Sequence, residues 1–256
     1  MRDLLKIIQE RHSDRGSFDP NRPIPGRDLR LILEAARWAP TPHNMQNFEI
    51  LVVDGKEQLD AIQKCRSDAS ESFLRENYGQ LSFSEEELLA KKTGVLASMF
   101  PPSWTNPEAW RQDSDYRSQH AFLGRWMRES PMLLIVIHDA RKRAPGSDGD
   151  MLGSVGLGCM MENMWLMSGV LGIGFQVLST FSNDQVEHQV KSLLHIPEWM
   201  QISFACRLGY PAEQGAKPVR VRRTLEEFCH HNLFGRKGLA SKDAPVSPPS
   251  GEPIAR

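Results

Sequence analysis

Hydrophobic and polar positions change period several times along the chain, and each change marks an element. Leu4, Leu5, Ile7 and Ile8 make an apolar stripe on a short helix that ends near Arg11. Pro23-Ile24-Pro25 is an extended lead-in. After it Leu29, Ile32, Leu33, Ala36 and Trp38 recur at helical spacing as far as Pro40, which lacks the N–H needed to continue a helix. Phe48 to Val53 reads as a strand closed by a turn at Asp54-Gly55. The long polar segment 56–98 predicts helix. Met132 to Ile137 is continuously apolar, as expected of a central strand covered on both faces. Residues 141–150 read as a loop. Residues 151–171 are almost uninterruptedly apolar and small, which predicts a helix buried in the middle of the fold or along a subunit interface. Gly172-Ile173-Gly174 ends it, and Phe175 to Thr180 reads as a short strand. Asn183-Asp184 can cap a helix through about His195, and Ile202 to Leu208 is a further strand turning at Gly209-Tyr210-Pro211.

Helices and strands in this order do not form a run of simple βαβ units, so the pattern predicts an α+β sheet sandwich. The 256 residues suffice for a large buried core. A single domain is expected over 1–235, and 236–256, rich in Pro, Ser, Gly and Lys, reads as a disordered tail. The net charge of -1 supplies no global field that would recruit nucleic acid or a membrane surface. No apolar run approaches the roughly 20 residues that span a bilayer, and charges interrupt the first eight residues, unlike a signal peptide. Cys65, Cys159, Cys206 and Cys229 lie far apart without a C-x-x-C pair, which reads as reduced thiols in a cytoplasmic protein.

Two clusters carry candidate chemistry. Arg11-His12-Ser13-Asp14-Arg15 gathers two guanidiniums, an imidazole and a hydroxyl, an inventory suited to binding phosphate. Ala39-Pro40-Thr41-Pro42-His43-Asn44-Met45-Gln46 sets short polar side chains between a helix and a strand, where they can hydrogen-bond a flat heterocycle. Arg220-Val221-Arg222-Arg223 reads as a solvated edge strand, a small nucleic-acid patch, or a distant source of further cations for the same phosphate. Other chemistries fare worse. Gly153-x-x-Gly156-x-Gly158 and Gly169-x-x-Gly172-x-Gly174 lack the order of a dinucleotide fingerprint, there is no P-loop, and close helix packing accounts for these glycines better. Cys229-His230-His231 has no second cluster to complete a zinc site. No G-x-S-x-G anchors a hydrolase triad. If the chain is an enzyme, a cofactor is expected to carry its chemistry.

The two clusters, with Leu193-Leu194-His195-Ile196-Pro197-Glu198 and Leu208-Gly209-Tyr210-Pro211, resemble the FMN-dependent nitroreductase family from about residue 5 to residue 230. The first cluster is similar to that family's R-[RH]-S-x-[RK] segment, and Ala36 to Phe48 to its A-x-x-A-P-[ST]-x-x-N-x-Q-P-W. The resemblance implies a central mixed, largely antiparallel sheet flanked by helices in an intertwined homodimer with FMN at the subunit interface. It implies that Arg11, Ser13 and Arg222 grip the FMN phosphate with His12 and Arg220 beside them, and that Arg15 lies near flavin N1 and the C2 carbonyl. Pro40, Thr41 and Asn44, with Gln46 as a neighbour, would reach the flavin from the other subunit. Leu178, Ser179 and Thr180 would run along its dimethylbenzene or N5 side. The implied reaction is ping-pong: NADH or NADPH delivers hydride to flavin N5, and a small aromatic acceptor such as a nitro compound or quinone then takes two electrons. The aromatic-rich stretch 100–126 is expected to be either a lid insertion or ordinary packing. Asn47-Phe48 replaces the usual Pro-Trp, and Ser179-Thr180 replaces the Glu-Gly of one branch. A dehalogenase or dehydrogenase of the same fold, or a flavin-binding module without turnover, are the alternatives.

Overall fold

The continuous apolar run at 132–137 lies inside a strand that is buried along almost its whole length, and the rest of the architecture is arranged around it. The computed structural model of the protein describes residues 4–67, 72, 75–100, 130–146, 149–212 and 219–238. In chain order the helices are α1 (Leu4–Glu10), α2 (Gly26–Arg37), α3 (Lys56–Ile62), α4 (Glu85–Lys91), α5 (Met151–Val170), α6 (Asp184–Leu193) and α7 (Leu225–Phe228). The strands are β1 (Phe48–Val53), β2 (Ser82–Phe83), β3 (Val95–Leu96), β4 (Met132–Asp139), β5 (Gly174–Val177) and β6 (Met200–Gly209). The described residues fall into two units, one drawn from 1–68 and 118–215, the other from 69–117 and 216–256.

The first unit is built on a four-stranded sheet in the order β1-β4-β6-β5, antiparallel at every pairing. Because side chains alternate across a strand, β4 feeds two cores. Leu133, Ile135 and Ile137 face one side, where Ile62 of α3 and Val186 and Val190 of α6 cover them. Met132, Leu134 and Val136 face the other, against Ile32 and Ala36 of α2 and Met160 and Met164 of α5. Each side chain of Leu or Ile fully buried in this way contributes about 1.5–3 kcal/mol relative to exposure. The result is the expected α+β sandwich, with the sheet between two helical layers.

Local signals account for several boundaries. Asn183 caps α6 through its side-chain oxygen, which accepts from Gln185 N and Val186 N, and the helix stops at Leu193 before His195 turns to φ 54°. The apolar helix α5 is buried within the chain along Gly153, Gly156, Met160, Met164 and Ser168, spaced at three and four residues. Its other side is not covered: Met151, Leu152, Val155 and Val170 are exposed. The expectation that 175–180 is all strand needs correction. The strand ends at Val177, and Ser179–Ser182 form a 3-10 turn.

The single helix expected over 56–98 is replaced by shorter pieces, α3 in the first unit and the rest in the second. Arg75–Gly79 form one π turn, β2 and β3 pair in parallel, and Ser84 and Glu87 make a capping box that starts α4. Lys92 and Gly94 both take positive φ at the helix end, and a Cβ on Gly94 would collide with the Leu81 carbonyl, so the chain turns back there. Thr224 and Glu227 form a second capping box at α7, and Lys92 pairs with Glu227 at 3.0 Å. Burial pushes the Tyr78 hydroxyl up to about 12. The stretch 101–129 and the tail from 239 lie outside the described residues, so the lid and tail expectations fall there too.

Candidate functional site

Residues 11–15 follow α1 without regular structure and are pinned by the first unit's core. Arg11 lies 4.3 Å over the Trp165 ring of α5, and its Nε is 3.1 Å from Glu162. Trp165 Nε1 donates to the His12 carbonyl at 3.0 Å, and Trp165 stacks on Phe175 at 5.2 Å. His12 Nδ1 and Nε2 face the Glu10 carbonyl and the Asp14 carboxylate. Asp14 completes the anchor: its N–H donates to the Phe175 carbonyl and its carboxylate accepts from Phe175 N–H, both at 3.0 Å. The segment is thereby attached to the end of the sheet, because Phe175 is in β5.

Arg15 differs from its neighbours. It is half-buried, and loss of solvent holds its pKa below the ordinary arginine value. Among the described residues no carboxylate pairs with it. Removing a cation from water without an anionic partner is unfavourable. Such a group is poised to accept an anion or an electron-rich heterocycle.

Beneath Arg15 lies a residue that sequence reasoning passed over. Arg207 of β6 is completely buried, with its guanidinium 4.2 Å from the centre of Phe18. One terminal nitrogen donates to the carbonyls of Asp14 and Gly16, at 3.1 and 2.5 Å. The other reaches Ser130 Oγ, and Nε donates to Gln176 Oε1 at 2.7 Å. In sequence Arg207 is one polar residue in an apolar strand, with nothing to distinguish it from a solvent-facing position.

The Pro40–Gln46 loop follows α2 and contains a 3-10 turn at Pro42–Asn44. His43, Asn44 and Gln46 have φ of 48°, 54° and 44°. Left-handed backbone at a residue bearing Cβ costs about 1–2 kcal/mol, less for Asn, and such strain clusters at functional sites. The loop's hydrogen bonds are mostly its own. Thr41 Oγ1 accepts from Gln46 N–H at 3.3 Å, Asn44 N–H donates to the Thr41 carbonyl, and Gln46 Nε2 donates to Asn44 Oδ1 at 2.9 Å. Pro40, Asn44 and Gln46 are exposed. Gly156 of α5 lets the loop lie close, since a Cβ there would be 3.0 Å from the Pro40 carbonyl. Gly156 therefore serves contact with this loop, where packing of helix on helix was expected, whereas a Cβ on Gly158 or Gly169 would meet nothing within 4 Å.

Leu178 is buried, with its N–H donating to the Ala205 carbonyl, whereas Ser179 is exposed on the 3-10 turn. Phe175 stands three residues before Leu178, so β5 links the Arg11–Arg15 segment to Leu178, Ser179 and Thr180. The Pro40–Gln46 loop reaches α5 at Gly156, whereas Arg11 and His12 reach it at Glu162 and Trp165, about 9–14 Å further along the axis at 1.5 Å per residue. Arg220 and Arg222 belong to the second unit. Both are exposed, Arg222 donates to the Val221 carbonyl at 2.7 Å, and residues 219–224 form no strand. Arg223 lies 5.6 Å from the Phe228 ring.

The donors in the first unit fit a flavin mononucleotide: cationic and hydroxyl groups at 11–15, a half-buried guanidinium at Arg15 with no carboxylate partner among the described residues, and exposed polar side chains on the Pro40–Gln46 loop. All four cysteines are free thiols, Cys206 fully buried and the other three partly so. Among the described residues no helix is long and apolar enough to cross a membrane, and no group of His, Cys, Asp and Glu is arranged to hold a metal. His230 of the Cys229-His230-His231 run accepts from Gly235 N–H and stacks on Phe234.

Comparison with known proteins agrees in extent with this architecture. The model of the Nitroreductase family matches residues 8–210. An NADPH-dependent oxidoreductase of Staphylococcus haemolyticus is 24% identical over 109 residues, a stretch covering 43% of this chain and 43% of that protein. Among solved structures, a nitroreductase family protein of Clostridium difficile superposes with a TM-score of 0.59 at 14% identity, covering 91% of this chain and 100% of that one. An FMN-dependent nitroreductase of the same species gives 0.57 at 16% identity, covering 90% and 100%. A nitroreductase of Bacteroides fragilis with bound FMN gives 0.52 at 20% identity, covering 91% and 100%. At these identities the structural likeness establishes the fold.

Proposed function

The chain belongs to the nitroreductase family, and from that premise we propose that it is a cytoplasmic FMN-dependent oxidoreductase taking two electrons from NADH or NADPH and passing them to a small aromatic acceptor. The observation that carries this reading is Arg15, a desolvated guanidinium with no carboxylate partner among the described residues, in the segment whose composition suits a phosphate-bearing cofactor. The solved relatives named for FMN supply the cofactor, and the Staphylococcus protein's name supplies the electron donor. When bound, FMN supplies the two-electron transfer, in a ping-pong sequence with nucleotide and acceptor using the site in turn.

The chain's own residues bind and tune. Arg11, Ser13 and His12 hold the phosphate. Arg15 favours negative charge on the ring beside it, an interaction strengthened by the exclusion of water. Leu178 excludes water at the other edge, and Ser179 and Thr180 present backbone N–H groups. Pro40, Thr41, Asn44 and Gln46 complete the site from a second copy of the chain. The dimer is supported by the uncovered apolar side of α5, where Met151 is 74% and Val155 56% exposed. Exposed apolar side chains gathered on one side of a helix suit a protein contact. We assign 1–235 to one functional domain.

The test is stopped-flow mixing of the flavin-loaded protein with NADH and with NADPH, followed by a panel of nitroaromatic and quinone acceptors. Rapid bleaching by one nucleotide and reoxidation by an acceptor is the expected result. A protein that holds FMN yet is reduced by neither would contradict turnover and favour a flavin-binding module.

A further inference from the structure

Arg207 is a fully buried cation, and nothing in the proposed reaction uses it. Its environment is specific. The guanidinium is fully buried on β6 and points one terminal nitrogen at the two carbonyls on either side of Arg15, those of Asp14 and Gly16. The rest of the group is held from behind by Gln176 Oε1 at 2.7 Å and Ser130 Oγ at 3.2 Å, and by the face of Phe18. Gln176 is itself buried, in β5, one residue after the Phe175 that brackets Asp14 by two hydrogen bonds. The peptide carrying Arg15 is therefore gripped on both flanks by one planar donor. A lysine could not replace it, because its three N–H donors leave a single nitrogen and cannot span Gln176, Ser130 and two carbonyls at once.

We propose that Arg207 is the positioning residue for Arg15: it fixes the Asp14–Gly16 backbone so that the Arg15 guanidinium is presented to the flavin ring in one orientation. The inference rests on the flavin reading of Arg15. It adds to that reading a residue that touches neither cofactor nor substrate. The physical gain is preorganisation. A cation held in place before the ring gains charge stabilises that charge without reorganising, and a cation on a loose loop loses part of the effect. A burial role alone predicts damage to stability and no dependence on Arg15, and that separates the two accounts.

The experiment measures the two-electron midpoint potential of FMN, at saturating FMN, in the wild-type protein and in Arg207→Lys, Arg15→Gln and the double variant. Arg207→Lys keeps volume and a cationic group but loses the fork. The expected result is about a tenfold fall in the preference for reduced over oxidised FMN, roughly 30 mV for a two-electron couple. In the Arg15→Gln background the same change is expected to shift the ratio by less than about twofold, since a residue acting through Arg15 has nothing left to position. An equal shift in both backgrounds overturns the proposal, as does a wild-type potential in Arg207→Lys. Should Arg207→Lys not fold, Gln176→Met removes the acceptor behind Nε while leaving Arg207 in place. A smaller shift in the same direction that disappears with Arg15→Gln supports the proposal, and no shift overturns it. A wild-type protein that takes up no FMN contradicts the functional reading first, and the positioning role falls with it.

Discussion

The Arg11–Arg15 segment and the Pro40–Gln46 loop are both irregular, both polar and both placed against α5, yet they are held in opposite ways. The first is fastened to the core: Asp14 brackets Phe175, Arg207 grips the flanking carbonyls, and Trp165 covers Arg11. The second closes mainly on itself through Thr41, Asn44 and Gln46, with three left-handed residues and exposed side chains. Preorganisation by a buried scaffold suits a group that must hold a charge in a fixed place. A strained, self-contained loop suits a surface that meets something else. The difference therefore supports one half of the site being complete within a chain and the other being offered to a second copy.

The largest effect is expected where the core holds the segment. Asp14→Ala should lower the unfolding free energy by about 1.5–3 kcal/mol, the range for hydrogen bonds to a charged group, seen as a lower urea midpoint with an unchanged slope. A loss below roughly 0.5 kcal/mol would mean that the segment is as loosely held as the loop. Gly156→Ala comes next and should divide its effects. Helix propensity favours alanine by about 0.8–1 kcal/mol, while the new Cβ crowds the Pro40 carbonyl at 3.0 Å. Melting temperature should stay within a few degrees while FMN affinity falls about fivefold, roughly 1 kcal/mol. Equal loss of both would show that the loop is part of the core after all.

Asn44→Gly keeps the left-handed backbone and removes only the amide. It should alter stability by less than about 0.5 kcal/mol, with weaker FMN binding as its main consequence. The smallest effect lies away from both segments. Hydrogen bonds from Arg141 hold the Asp139 carboxyl down to about 2 from an ordinary 3.8. A folded-state pKa below the unfolded one gives stability that is present above about pH 4 and lost as pH falls toward 2. Arg141→Ala should flatten that part of the acid unfolding curve and leave FMN binding unchanged.

Much of this contrast was legible before any fold was known, and the reasons are local. Met132 to Ile137 announced a doubly covered strand because no polar residue breaks the run. Pro40 and Asn183 marked helix boundaries because each acts on its own neighbours' backbone. The polarity of 11–15 and 40–46 identified both candidate segments by composition. What remained hidden depends on distant partners. Arg207 meets Asp14 and Gly16 only after β6 is placed beside β5, and a lone arginine in an apolar strand has no sequence mark of burial. The 56–98 segment was misread as one helix because its turn chemistry, at Ser84 and at Lys92 to Gly94, sits inside a polar stretch without apolar periodicity. Ser179-Thr180 read as strand because Leu178 continues the apolar alternation past the point where the chain turns.

The central claim is that Arg15, desolvated and without a carboxylate partner among the described residues, marks a flavin site. Its most direct test is a titration of FMN into the cofactor-stripped wild-type protein and into Arg15→Gln, followed by quenching of flavin fluorescence. The account predicts saturable binding by the wild type and an affinity about tenfold lower in the variant, the effect of roughly 1.4 kcal/mol. Equal affinities in the two proteins, or no binding by the wild type, would contradict it.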